Sequence, residues 1–161
     1  MMTGDDQEEI LIVEWDKRYS VGIPLIDEQH KALIQNANTL YQGCRAGGDD
    51  ERTAYFNRAV KSVVDYVTYH FSAEEKMLER IRYPELQRHK KQHETFVQKL
   101  LDDVKEYGEG KKFVPNNFVR FLRDWILSHI AVEDTKYARY LMNLKKSGRL
   151  GEQLKRSEAT A

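Results

Sequence analysis

HFSAEEKMLERIRYPELQRHKKQH, residues 70–93, holds three of the five histidines of the chain. His70 stands four residues before Glu74 and His89 four before His93, on either side of Tyr83-Pro84. An interval of four puts both members of a pair on one helix face, about one turn apart. Proline fits the first turn of a helix, where its missing N–H costs nothing, so Tyr83-Pro84 reads as a tight helix-to-helix reversal. Two ligand-bearing helices would then lie antiparallel and side by side.

Upstream of the break, Phe56, Val60, Val63, Val67, His70, Glu74 and Met77 step by four, three, four, three, four and three. That is a bundle seam with a histidine and a glutamate at two core positions. Downstream, from about Pro84 to Tyr107, Leu86, His89, His93, Phe96, Leu100 and Val104 repeat the pattern until Gly108-Glu109-Gly110 ends it. An earlier helix, from about Pro24, carries Ile26, Leu33, Ile34, Ala37, Leu40 and Tyr41 at helical spacing, with His30 on the same stripe. Residues 43–50 form a Gly-rich turn in which Asp49 or Asp50 can cap the next helix. A last helix opens at Pro115 or Asn116, with Phe118, Leu122, Trp125, His129 and Val132 on one seam and Ile126, Ile130 and Tyr137 beside it. All five histidines fall on inner faces. The spacing predicts an all-α, up-down-up-down antiparallel four-helix bundle. It forms one domain over 1–143, made of an N-terminal arm (1–23) and the bundle (24–143), and 144–161 reads as a tail with at most a short frayed helix.

A chain of 161 residues, 40% hydrophobic, suits one such domain rather than two. Basic and acidic residues balance at 26 each, so there is no overall field for nucleic acid. No apolar run approaches the ~20 residues of a membrane span. Neither nucleic acid nor a membrane is expected as a partner. The lone Cys44 excludes an internal disulfide framework and a thiolate metal site, and fits a reducing compartment. The N-terminus, acidic through Asp5, Asp6, Glu8, Glu9 and Glu14, lacks a secretory leader, so the expected location is cytoplasmic. Lys145, Lys146, Arg149, Lys155 and Arg156 form a basic counterpart at the other end, and both ends read as solvated tails.

Burying an imidazolium or a carboxylate on a seam costs several kcal/mol unless it is paired or binds metal. One inward histidine is commonly a satisfied core residue. Five on four helices, with Glu74 on the His70 stripe, form a ligand pattern. Nitrogen and oxygen ligands without thiolate suit iron, zinc, manganese or copper rather than calcium or magnesium. Five imidazoles exceed the needs of one ordinary metal, whereas two metals that share carboxylates can use them. A ferritin-like dimetal site would require Glu-x-x-His pairs, and the chain has none.

Ile26-Asp27-Glu28-Gln29-His30, His70-Phe71-x-x-Glu74, His89-x-x-x-His93 and His129-x-x-x-x-Asp134 resemble, in order and spacing, the full ligand signature of the hemerythrins. With Glu14-Trp15 and Val21-Gly22-Ile23 ahead of them, the bacterial branch of that family is the most similar. The resemblance covers roughly residues 11–141. It implies two non-haem iron ions, one held by His89, His93 and His129 and the other by His30 and His70. Glu74 and Asp134 would bridge them, with an oxo or hydroxo group as third bridge. The iron with two histidines would keep an open position, where dioxygen binds in the family by taking two electrons from the iron pair. Spacing and resemblance part at one position. Glu133 follows His129 by four and shares its face, while Asp134 follows by five and is rotated by roughly 140° on an α-helix. The family pattern selects Asp134.

Phe71, Trp125, Ile126 and Ile130 match the family's apolar pocket, which would exclude water from the bound oxygen, and they serve ordinary core packing equally well. Tyr66, Tyr69 and Tyr137 stand near enough in sequence to support ligands. The resemblance therefore implies reversible dioxygen binding, as a carrier, store or sensor. Two other classes compete: a di-iron peroxidase or oxidase, which would want a further buried acid or base that no remaining histidine supplies, and an iron-handling interaction protein. A protein partner could supply a signalling output.

Overall fold

The computed structural model describes residues 11–45, 49–108 and 115–160. The readings placed on residues 1–10, on the Asp49 cap and on Gly110 lie outside the described residues. α1 spans Pro24–Arg45, α2 Asp49–Arg80, α3 Leu86–Gly108 and α4 Pro115–Ser128. A six-residue π-helical stretch, His129–Asp134, joins α4 directly to α5, Thr135–Lys146, and α6 follows at Leu150–Ala159. No strand occurs among the described residues. α1 packs against α2 and α4, and α2 against α3. This is the up-and-down four-helix bundle, with α4, the π stretch and α5 together forming its fourth rod.

The α2–α3 reversal falls at Tyr83-Pro84 as the sequence reading anticipated, but the proline lies in the turn itself and α3 opens two residues later, at Leu86. The Tyr83 N–H donates to Leu78 O (2.9 Å) and the Arg82 N–H to Glu79 O (3.0 Å), the paired bonds that close a helix over a left-handed residue. That residue is Arg82, at φ 52°, where glycine is usual and a β-carbon costs about 1–2 kcal/mol. Tertiary bonds hold it there. The Tyr140 hydroxyl donates to Arg82 O (3.1 Å), and the Arg82 guanidinium donates to Arg156 O (3.3 Å). α5 ends by the same device on Gly148, at φ 70°, with the Arg149 N–H donating to Leu144 O (3.0 Å).

The core has two apolar layers. One gathers Leu33, Leu40, Phe56, Val60, Val67, Phe96, Leu100, Phe118 and Leu122, and the other Val21, Ile26, Leu78, Ile81, Tyr83, Tyr137, Leu141 and Leu144. On every helix the histidines fall in sequence between members of the two layers. The seam reading needs two adjustments at its edges, since Val132 is 51% exposed and Val104 36%. Val132 points outward because the backbone around it has left the α register. The segment 144–161, read from the sequence as a tail, contains α6, whose Leu150 and Leu154 pack on the second layer. The Ser157 hydroxyl donates to Arg80 O (2.9 Å) at the end of α2.

The arm is fastened by a buried asparagine. Asn38 accepts from the Ile12 and Val13 N–H groups (2.9 and 3.2 Å) and donates to Val13 O (2.8 Å). Lower down, Asp27 accepts from the Val21 N–H (2.8 Å) and the Ser20 hydroxyl (2.5 Å). Asn38→Ala leaves the buried polar atoms of Val13 without partners, at about 1–3 kcal/mol. We expect a lower urea midpoint and faster proteolysis near Ile12, with metal content retained because Asn38 lies two turns from His30. An unchanged midpoint and cleavage rate would show that the arm is held elsewhere.

Candidate metal centre

Between the two apolar layers lie His30, His70, Glu74, His89, His93, His129 and Asp134, each no more than 3% exposed. Regular α-helix explains five of the placements. His70 and Glu74 on α2, and His89 and His93 on α3, are each one turn apart, and His30 faces them from α1. The fourth rod uses a different device. A π-helical turn closes hydrogen bonds from i to i+5, so residues five apart come to one face. His129 and Asp134 bound that stretch, and His129 Nε2 lies 3.1 Å from Asp134 Oδ1. Glu133 is turned outward, where it accepts from Arg88 (2.8 Å) and Lys136 (2.8 Å). Of the two acids that spacing and resemblance set against each other, Asp134 is the one that enters the centre.

The nitrogens form two groups. His89, His93 and His129 converge with Glu74, and His30 and His70 converge with the same Glu74. Both carboxylates face both groups, and Asp134 does so through different oxygens. Asp134 Oδ1 lies 3.1 Å from His129 Nε2 and 3.5 Å from His89 Nε2, while Oδ2 lies 3.2 Å from His30 Nε2. Glu74 Oε2 lies 3.1 Å from His89 Nε2, 3.2 Å from His93 Nε2 and 4.0 Å from His70 Nε2, while Oε1 is 3.8 Å from His30 Nε2. A carboxylate that addresses two nitrogen groups with opposite oxygens has the disposition of a bridge.

The donor set fits ions and fits poorly as a network of its own. His93 Nε2 and His129 Nε2 are 3.0 Å apart, which matches two neighbouring vertices of an octahedron with ligands at about 2.1 Å. Both oxygens of Asp134 and both ring nitrogens of His30 are buried without a hydrogen bond, although Asp134 Oδ2 and His30 Nε2 are 3.2 Å apart. Close but misaligned polar atoms are what a shared central ligand requires. Among the described ion pairs, no Lys or Arg reaches Glu74 or Asp134. With the side chains alone, burial pushes the His70 imidazole down to about 4. His30 meets the same burial, but Asp134 and Glu74 outweigh it and lift the imidazole to about 9. Burial also opposes ionisation of Glu74, and His30, His89 and His93 nonetheless hold it well below the usual carboxylate range.

Behind the ligands stand residues whose contribution spacing did not reveal. His70 Nδ1–H donates to Gln29 Oε1 (2.8 Å) and His93 Nδ1–H to Glu75 Oε1 (2.8 Å). Each bond fixes the tautomer that leaves Nε2 free to bind metal. The buried Tyr137 hydroxyl donates to Glu74 Oε1, and burial together with that carboxylate keeps its phenol protonated well above the usual range. Tyr66 donates to the Gln29 carbonyl (3.0 Å), whereas Tyr69 is 59% exposed. Gln29 and Glu75 each sit beside a ligand in the sequence, the only signal that could have pointed to them.

Of the four pocket candidates, the two aromatic ones lie against candidate ligands. Phe71 stacks on His93, with ring centroids 3.7 Å apart, and its ring centre is 5.7 Å from that of His70. Trp125 stacks on His129 at 4.4 Å. Ile126 and Ile130 are buried in the first apolar layer. The walls are therefore aromatic against the three-histidine group, and Phe71 spans both.

Comparison with known proteins agrees with this geometry. The family model described as the hemerythrin HHE cation binding domain matches residues 21–141. The bacteriohemerythrin of Methylococcus capsulatus is 28% identical over 119 residues, covering 74% of this chain and 88% of that protein. The hemerythrin-like protein of Naegleria gruberi is 32% identical over 123 residues, 76% of this chain and 88% of its own length. A crystal structure of wild-type hemerythrin superposes with a TM-score of 0.71 at 26% identity, over 79% of this chain and 95% of that one. A bundle whose central layer presents five histidines and two shared carboxylates, matched over most of its length by that model, belongs to the hemerythrin HHE cation-binding family.

Proposed function

We propose that this protein binds dioxygen reversibly at a di-iron centre held by His30, His70, Glu74, His89, His93, His129 and Asp134. The observation that supports the reading best is the way Asp134 turns opposite oxygens to the two histidine groups while Glu74 stands in both. When bound, an iron pair supplies the two electrons that dioxygen binding requires. The residues of the chain do the rest. Three imidazoles would serve one ion and two the other, so the His30–His70 side offers one protein ligand fewer. Gln29 and Glu75 hold the tautomers, and Tyr137 fixes one oxygen of Glu74. Phe71, Trp125, Ile126 and Ile130 exclude water and with it the protons that would discharge bound oxygen.

A binding role is favoured over a peroxidase or oxidase because the buried acid beside the carboxylates, Tyr137, already commits its one proton to Glu74. No described helix is long and apolar enough to cross a membrane, and we read the lone Cys44 as fitting the cytoplasm.

The test is an iron assay followed by anaerobic reduction and measured exposure to oxygen under visible absorption. We expect about two irons per chain and a band that appears with oxygen and fades when oxygen is removed. One zinc per chain would reject the di-iron centre. Sustained oxygen consumption over many turnovers would favour the enzyme.

A further inference from the structure

The two histidine groups differ in what stands behind them. His93, in the group of three, donates its Nδ1–H to a carboxylate, Glu75 Oε1, at 2.8 Å. His70, in the group of two, donates to a neutral amide, Gln29 Oε1, also at 2.8 Å. Gln29 is 5% exposed and directly precedes His30, so one turn of α1 supplies a ligand and the support for another ligand on α2. Tyr66 bonds the carbonyl of that residue and ties the turn to α2.

An amide has an accepting end and a donating end, and the choice between them matters here. If Gln29 turned its Nε2 toward the ring, His70 Nδ1 would have to accept, and the ring proton would move to Nε2, where a metal could no longer bind. In the observed orientation the buried Nε2 of Gln29 has no hydrogen-bond partner. The contact with His70 is therefore the bond that orients the amide.

The charge of the supporting group also matters. A carboxylate behind an imidazole makes the ring a stronger donor to metal than an amide does, and such supports change metal affinity about 10- to 100-fold. Resting on the di-metal reading above, we propose that Gln29 is a positioning residue that holds His70 in the Nδ1–H tautomer, and that its neutrality, set against Glu75, makes the His30–His70 site the weaker and second to fill.

Two measurements test this. Anaerobic cobalt(II) titration, followed by visible absorption, reports the two filling steps, and ¹⁵N NMR of the metal-free protein at neutral pH reports the His70 tautomer. The parent should fill in two separable steps. Gln29→Leu should weaken the second step about 10- to 100-fold, leave the first in place, and move His70 toward the Nε2–H form. Gln29→Glu, nearly isosteric, should keep the Nδ1–H tautomer and tighten the second step about tenfold, drawing the two together. A parent that binds two cobalt ions while both variants leave the second step and the tautomer unchanged overturns the proposal and spares the di-metal reading. A parent that binds no cobalt overturns the di-metal reading and the affinity order with it, while the tautomer shift still judges the role of Gln29 at His70.

Discussion

Asp134→Ala is expected to leave the purified protein with one iron or none per chain and without an oxygen-dependent band. Asp134 is fully buried and addresses both histidine groups, with Oδ1 toward His129 and His89 and Oδ2 toward His30. Its loss removes an anion that would neutralise two cations in an interior where Glu74 is the other carboxylate. An uncompensated buried charge costs about 3–5 kcal/mol, enough to lower metal affinity by more than a hundredfold. Glu133→Ala is the control. Burial is the largest single influence on its carboxylate and raises it, but the bonds from Lys136 and Arg88 together outweigh burial and bring it down to about 2. These pairs are partly exposed and turned away from the histidines, so their loss touches stability rather than the centre, and iron content and spectrum should match the parent. Loss of iron in Glu133→Ala with retention in Asp134→Ala would reverse the assignment.

The second large effect concerns the metal itself. Chelation should lower the thermal midpoint by roughly 10–15 °C. Even one ion that binds only the folded chain at about a thousand times its dissociation constant adds about 4 kcal/mol, and a domain of this size shifts by about 2–4 °C per kcal/mol. The structure supplies the reason for a large coupling. The bundle has seven polar side chains where its core would otherwise be continuous, and those of Asp134 and His30 find no hydrogen bond within the protein. Scanning calorimetry with and without iron(II), under argon, measures the shift. Coincident midpoints would mean that the histidine layer is stable without ions and that loading does not support the fold.

Much of this centre was legible before any coordinate. The steps of three and four through Val67, His70 and Glu74, or through His89, His93 and Phe96, translate directly into faces because the α-helix has a fixed period. The helical bundle follows from the same regularity. What escaped was set by departures from it or by contacts across helices. The π turn has no residue signature of its own, and a five-residue interval from His129 to Asp134 looks like a misfit until the backbone is seen to widen. Arg82 gave no hint of a left-handed conformation, since glycine is the residue that announces one. Gln29 and Glu75 act through partners 41 and 18 positions away, with only their places beside candidate ligands to point to them, and Tyr137, which the sequence did offer, bonds a residue 63 positions away, a pairing that it did not. Leu150 and Leu154 are too few to define a seam, so the docking of α6 emerged only from its packing.

The wide turn also settles how the fourth rod keeps time with its neighbours. If one residue between His129 and Asp134 is left out of the count, Asp134, Tyr137, Leu141 and Leu144 follow His129 at four, seven, eleven and fourteen, the rhythm of an uninterrupted heptad seam. The rod is thus an ordinary α-helix that has absorbed a single supernumerary residue, with the surplus bulged to the solvent side near Val132. Without such a bulge, one extra residue would rotate everything beyond it by about 100°, carrying Tyr137, Leu141 and Leu144 off the core. Confining the surplus to one turn lets an insertion alter the metal layer alone, while the apolar layers above and below stay in phase.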